Sequence, residues 1–102
     1  MEMVTALILI NVDRNKVYEV AQGLLGIEGV SEVFSVAGQY DLVAVLRTTS
    51  NEQLADVVTS KLRTLPNILR TETLIAFRAF NQSDLGAMFS IGGDERQLAA
   101  LL

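Results

Sequence analysis

The chain of 102 residues contains no cysteine and no histidine. The first absence removes disulfides, thiolate nucleophiles and cysteine-based metal sites. The second removes the residue most often used for proton transfer near neutral pH, which is also the commonest metal ligand. No metal and no cofactor are therefore expected. Long apolar runs are missing too. After Met1-Glu2-Met3 an apolar stretch ends at Asn11, Asp13 and Arg14, without the basic start and cleavage site of a signal peptide, and nothing approaches the roughly 18 apolar residues of a membrane span. A cytoplasmic protein without membrane contact is the expectation. Positive charge is scarce as well: 8 Lys and Arg against 12 Asp and Glu leave a formal net charge of −4, and the basic residues are scattered. A surface that neutralises phosphates needs clustered Lys and Arg, so direct nucleic-acid binding is not expected.

What is present is apolar. Half of the residues are hydrophobic and only 20% are charged, enough for one folded domain with a real core and too little chain for two. Residues 4–12 are apolar at nearly every position and read as a strand. Asp13 caps a helix to about Leu25, in which Val17, Val20, Ala21, Leu24 and Leu25 form one stripe and Gly26 marks the end. A second strand covers residues 30–37, with Val30, Glu32, Phe34 and Val36 on one parity, a mixed pattern that suits an edge. After the turn at Gly38-Gln39-Tyr40-Asp41, residues 42–46 are again continuously apolar and complete a hairpin. Ser50-Asn51-Glu52-Gln53 has the spacing of a capping box, and Leu54, Val57, Val58 and Leu62 follow it as the apolar face of a second helix. Pro66-Asn67 breaks the chain, and residues 68–77 form a fourth strand.

The order is βαβ followed by βαβ, and the halves are loosely alike, with breaks at Ile27-Glu28-Gly29-Val30 and Leu65-Pro66-Asn67-Ile68 opening a strand in each. Such doubling predicts an α+β, ferredoxin-like βαββαβ fold: an antiparallel four-stranded sheet with two helices on one face. Right-handed crossovers put the first and third strands in the centre. Their unbroken apolar runs point the same way, since such runs mark strands covered on both faces. Two helices cover only one face. The other would expose several hundred Å² of apolar surface, more than a soluble monomer usually shows. Either a partner sheet covers it, making a homodimeric sandwich, or the C-terminal tail folds across it.

Two polar clusters stand out. Gly38-Gln39-Tyr40-Asp41 packs a flexible residue, an aromatic ring and a carboxylate into one turn. The glycine allows close backbone approach and the carboxylate can accept from an ammonium group, although Gly and Asp also simply build hairpin turns. In Arg70-Thr71-Glu72-Thr73, Thr71 and Thr73 share a parity and present two hydroxyls side by side, an arrangement that also serves plain strand chemistry. No carboxylate pair stands out as a general acid and base.

The run Val36-Ala37-Gly38-Gln39-Tyr40-Asp41-Leu42-Val43, followed about thirty residues later by Arg70-Thr71-Glu72-Thr73-Leu74-Ile75-Ala76-Phe77, resembles the effector-binding (RAM) domain of the Lrp/AsnC feast/famine transcriptional regulators. Thr5-Ala6-Leu7-Ile8-Leu9-Ile10 and the break at Ile27-Glu28-Gly29-Val30 fit as well. The resemblance implies a domain that dimerises by packing sheets and then forms rings, commonly octamers, with amino-acid effectors held between dimers. It implies Gly38, Tyr40 and Asp41 as hairpin contacts, with Asp41 facing the ligand's amino group, and Thr71 and Thr73 as hydroxyl donors to its carboxylate. Gln39 stands where many members carry an acidic residue, which alters the charge of the site. Full-length regulators of this family carry an N-terminal helix-turn-helix, whereas this sequence opens at the first strand and resembles the stand-alone version.

The ligand-binding domain is expected over residues 1–80. Residues 81–102 form a tail in which Asn81-Gln82-Ser83-Asp84 caps a short helical turn and Leu98, Leu101 and Leu102 share one side. The leading functional expectation is an oligomeric amino-acid sensor that acts alone or co-assembles with a full-length regulator. The alternatives are a small cofactor-independent enzyme of the dimeric ferredoxin-like type, for which Tyr40 and Asp41 would have to suffice, and a purely structural ring former.

Overall fold

The computed structural model describes residues 3–80; the short helical turn and the leucine-lined side expected in the tail lie outside the described residues. Strand β1 (Val4–Val12) leads through a 3₁₀ turn (Arg14–Lys16) into helix α1 (Val17–Leu25). Strand β2 (Val30–Ser35) and strand β3 (Leu42–Thr48) form the hairpin. Helix α2 (Asn51–Asp56) continues into a π-helical turn (Val57–Lys61) and a 3₁₀ turn (Leu62–Thr64), and strand β4 (Ile68–Ile75) closes the sheet. The order β2-β3-β1-β4 is antiparallel throughout, with β1 and β3 central, as their continuous apolar runs require. This is the ferredoxin-like plan expected from the sequence.

Side chains cap the 3₁₀ turn that leads into α1 and the start of α2. The Asp13 carboxylate accepts from the Asn15 N–H at 3.0 Å. Ser50 Oγ accepts from the Gln53 N–H at 3.0 Å, while Gln53 Oε1 reaches back to the Thr49 N–H at 2.9 Å, one residue before the capping position. The π turn has a packing consequence. The Leu62 N–H donates to the Val57 carbonyl, five residues back, and the wider turn lets Leu62 join Leu54 and Val57 among the buried residues. The end of this helical segment meets α1 at a residue with no side chain: a Cβ on Gly23 would lie 2.9 Å from Leu65 Cδ2.

The inner face of the sheet is the core. Ala6, Ile8 and Ile10 of β1 and Leu42, Ala44 and Leu46 of β3 are buried there beneath Val20 and Leu24 of α1 and Leu54, Val57 and Leu62 of the second helical segment. The edge strand β2 departs from simple alternation. Its register shifts between Val30 and Glu32, so Val30 and Val33 both pack against the core although their parity differs, while Glu32 and Phe34 pair with Val45 and Val43. Gly29, at φ 102°, leads into the bulge in the left-handed region, and its carbonyl accepts from the Arg47 N–H at 2.8 Å.

The opposite face carries Phe34, Val43 and Leu9 in one row, ending at Glu72, and Val45, Leu7 and Leu74 in the next, beginning at Glu32. Phe34 and Leu74 are 48% and 46% exposed at its edges. No described helix packs there. Among the described residues no helix is long and apolar enough to cross a membrane.

Candidate functional site

The hairpin between β2 and β3 is fastened to the end of β1. The Val36 N–H donates to the Asp41 carbonyl at 3.0 Å, closing a four-residue loop, and the Asp41 N–H donates to the Ile10 carbonyl at 2.9 Å. Beyond Ile10, side chains carry the contact onward. Asn11 Nδ2 donates to the Gln39 carbonyl at 2.8 Å, and Asp41 Oδ2 accepts from the Val12 N–H at 2.9 Å. Asp41 thus satisfies a strand-end amide with one carboxylate oxygen. Its Oδ1 accepts none of the hydrogen bonds found among the described residues. Gly38, at φ 137°, lies in the loop with nothing within 4 Å of where a Cβ would stand, so its conformation rather than crowding favours glycine.

A cleft of about 600 Å³ opens beside this junction. Gly38, Gln39 and Asp41 form its hairpin wall, residues 11–14 the wall at the end of β1, and Leu69 closes it from the start of β4. The β1 wall is held from below as well, because the Asp13 N–H donates to the carbonyl of Asn67, a residue at φ 71° in the turn before β4. The lining carries both signs of charge, Asp13 and Asp41 against Arg14, together with the exposed apolar side chain of Leu69.

The expected site residues fall into three places. Gly38 and Asp41 line the cleft. Tyr40 turns away from it: its hydroxyl donates to Glu72 Oε2 at 2.5 Å, linking the hairpin to β4. That hydrogen bond, some desolvation of the phenol and the charge of Glu72 together raise the Tyr40 pKa above the ordinary tyrosine value, and only Arg70 opposes them. Thr71 and Thr73 pair with Ile10 and Ile8, which puts them in register with the helix-covered face of β4, Thr71 exposed and Thr73 half-buried. One protomer therefore does not bring the two threonines to the Asp41 cleft.

Arg14, Asn11 and Leu69 are not marked out by sequence reasoning. Arg14 reads as the first turn of a helix and Leu69 as one more apolar strand residue; only the adjacency of β1 and β4 sets them in one cleft. Among the described residues no three His, Cys, Asp or Glu side chains gather as a metal site would require.

A βαββαβ sheet with a mixed-charge cleft at its hairpin end places the domain in the ferredoxin-like class. Residues 5–85 match the model of the Lrp/AsnC ligand binding domain, and the chain belongs to that family. The uncharacterised HTH-type transcriptional regulator PH1916 of Pyrococcus horikoshii is 37% identical over 76 residues, which cover 72% of this chain and 51% of the relative. The chain thus spans about half the length of the curated relatives it matches. The crystal structure of TTHA0845 from Thermus thermophilus superposes with a TM-score of 0.72 at 44% identity, covering 76% of this chain and 98% of that one. The M. tuberculosis feast or famine regulatory protein Rv3291c, solved in complex with L-methionine, gives a TM-score of 0.65 at 29% identity, over 76% of this chain and 52% of that one.

Proposed function

We propose that this domain is an amino-acid effector module of a transcriptional regulatory system, binding its ligand at the Asp41 cleft and working as an oligomer. The observation that carries this reading is the Asp41 carboxylate. One oxygen is spent on the Val12 N–H, which fixes the group at the cleft wall, and the other is left to accept from an ammonium group. A relative solved with L-methionine supports an amino acid as the ligand class.

The apolar outer face supports the assembly. Leu7, Leu9, Val43, Val45, Phe34 and Leu74 are suited to pack against the same face of a second copy, giving a sandwich dimer. Dimers then join into a ring, of which an octamer is the expected form. Thr71, exposed, and Thr73, half-buried, lie on the edge strand and are contributed to the site across such a contact between dimers, as hydroxyl donors to the ligand carboxylate, while Gly38 and Tyr40 shape the hairpin. The cytoplasm is the expected compartment. A net charge of −4 with scattered basic residues disfavours direct operator contact by this domain, which would sense its ligand alone or co-assemble with a full-length regulator of the family. An enzyme reading is weaker, because the Tyr40 hydroxyl is engaged by Glu72 and stands apart from Asp41.

Thermal melting against the twenty amino acids tests the proposal. A ligand that prefers the folded state at a hundred times its Kd adds about 2.7 kcal/mol of apparent stability, a readily measured rise. Asp41→Asn, which keeps an acceptor for the Val12 N–H and removes the charge, is expected to abolish that rise while leaving the oligomeric mass unchanged. No stabilising amino acid, or a rise that survives Asp41→Asn, would overturn the assignment.

A further inference from the structure

The cleft has a polarity. Its lining includes Asp41 from the hairpin, Arg14 at the start of the 3₁₀ turn, and Leu69 from the β4 side with 71% of its surface exposed. Arg14 is exposed, lines the cleft and makes none of the ion pairs or side-chain hydrogen bonds found among the described residues, which leaves its five donors available to a ligand. An exposed leucine beside two opposite charges has no packing explanation within the protomer.

We infer that Arg14 and Leu69 are specificity-determining residues of this cleft: the guanidinium takes the carboxylate of a zwitterionic amino acid whose ammonium group lies at Asp41, and Leu69 receives an apolar side chain. The inference rests on the amino-acid reading above and adds to it the orientation of the ligand and the residues that choose it. The chemistry favours Arg14 over the threonine hydroxyls as the principal carboxylate partner. A guanidinium binds a carboxylate through two parallel charge-assisted hydrogen bonds, whereas a hydroxyl gives one neutral donor, and Thr71 and Thr73 stand in register with the other face of β4. An ammonium held at one wall and a carboxylate at the other also explains why a cleft with two acidic residues needs a cation. Without Arg14 the second charge of the ligand would enter unpaired.

Calorimetric titration separates this from the broader reading. The probes are L-methionine, its decarboxylated analogue 3-(methylthio)propylamine, and L-glutamate. Arg14→Gln, an exposed substitution that leaves the fold untouched, is expected to weaken L-methionine roughly tenfold or more, in keeping with loss of one charge-assisted contact. The same change should leave binding of the amine within about twofold of the wild type, since that probe has no carboxylate to lose. Leu69→Thr is expected to narrow the preference for L-methionine over L-glutamate. If L-methionine binds the wild type and Arg14→Gln weakens amine and amino acid alike, or neither, the proposed orientation fails while the amino-acid reading stands. If no amino acid binds the wild type, both fail together.

Discussion

The two faces of this sheet are nearly equal in hydrophobicity and opposite in fate. On β1, Ala6, Ile8 and Ile10 are fully buried under the helices, while Leu7 and Leu9, one residue away on the same strand, are only half-covered by their neighbours. The pleat alone separates them. A strand that needed cover on one face only would carry polar residues at alternate positions, as surface sheets do. That β1 and β3 do not argues that the second face is covered by something beyond the described residues of one protomer, which is proposed above to be a second copy. The inner face answers to folding, the outer face, on the proposed assembly, to association.

The largest effect is expected on the buried face. Ile8→Ala removes a side chain with no exposed surface from the centre of the core and is expected to lower the unfolding free energy by about 3 kcal/mol, read from the denaturant midpoint. Leu7→Glu, on the adjacent residue, is expected to do something different in kind. It puts a charge at the middle of the outer face, beside Val45 and Leu74, so the sandwich contact should be lost while the circular-dichroism spectrum of the fold persists. Light scattering would then show the mass falling below that of the wild-type assembly. If Leu7→Glu unfolds the domain as Ile8→Ala weakens it, the outer face belongs to the protomer's own core and the distinction collapses.

A third substitution acts on the helix layer alone. Ser50→Ala deletes the acceptor for the Gln53 N–H and is expected to cost about 1 kcal/mol with no change in oligomeric mass, since the box lies in the helix layer and away from the outer face. A mass change here would mean that the helices, and not the sheet, make the association surface.

The same contrast explains how far the sequence can be read. The central strands are legible because their apolar runs are uninterrupted, and the second helix because Ser50 and Gln53 carry their capping partnership in local spacing. The bulge at Val30 is not legible. Parity puts Val30 with Glu32 and Phe34, and only pairing with Leu46 and Val45 reveals the extra residue that turns Val30 inward. At the candidate site Asp41 is legible as a carboxylate in a turn, but its bond to the Val12 N–H joins residues far apart in the chain. The shared parity of Thr71 and Thr73 is legible, whereas the face they occupy depends on a register with Ile10 and Ile8 that no local pattern encodes. Arg14 and Leu69 are invisible for the same reason, each ordinary until β1 and β4 are set side by side.

The smallest expected effect lies on the outer side, where Tyr40 donates to Glu72. The bond holds the phenol proton more firmly in the folded chain than in the unfolded one, so the folded pKa lies above the ordinary tyrosine value. A raised folded pKa contributes stability that is fully present below the unfolded value, near about pH 10, and is lost as the pH climbs through the folded one. Tyr40→Phe has no proton to hold. Its denaturant midpoint should therefore fall below the wild type at pH 8, and the gap between the two proteins should close as the pH is raised past about 10. Taking the difference between the two chains cancels every contribution that both share. A gap that stays constant across that range would mean that Tyr40 contributes by packing its ring at the edge of the outer face and that the hydroxyl bond is incidental. The partition of the molecule into a folding face and an associating face would then extend to Tyr40 through its ring alone.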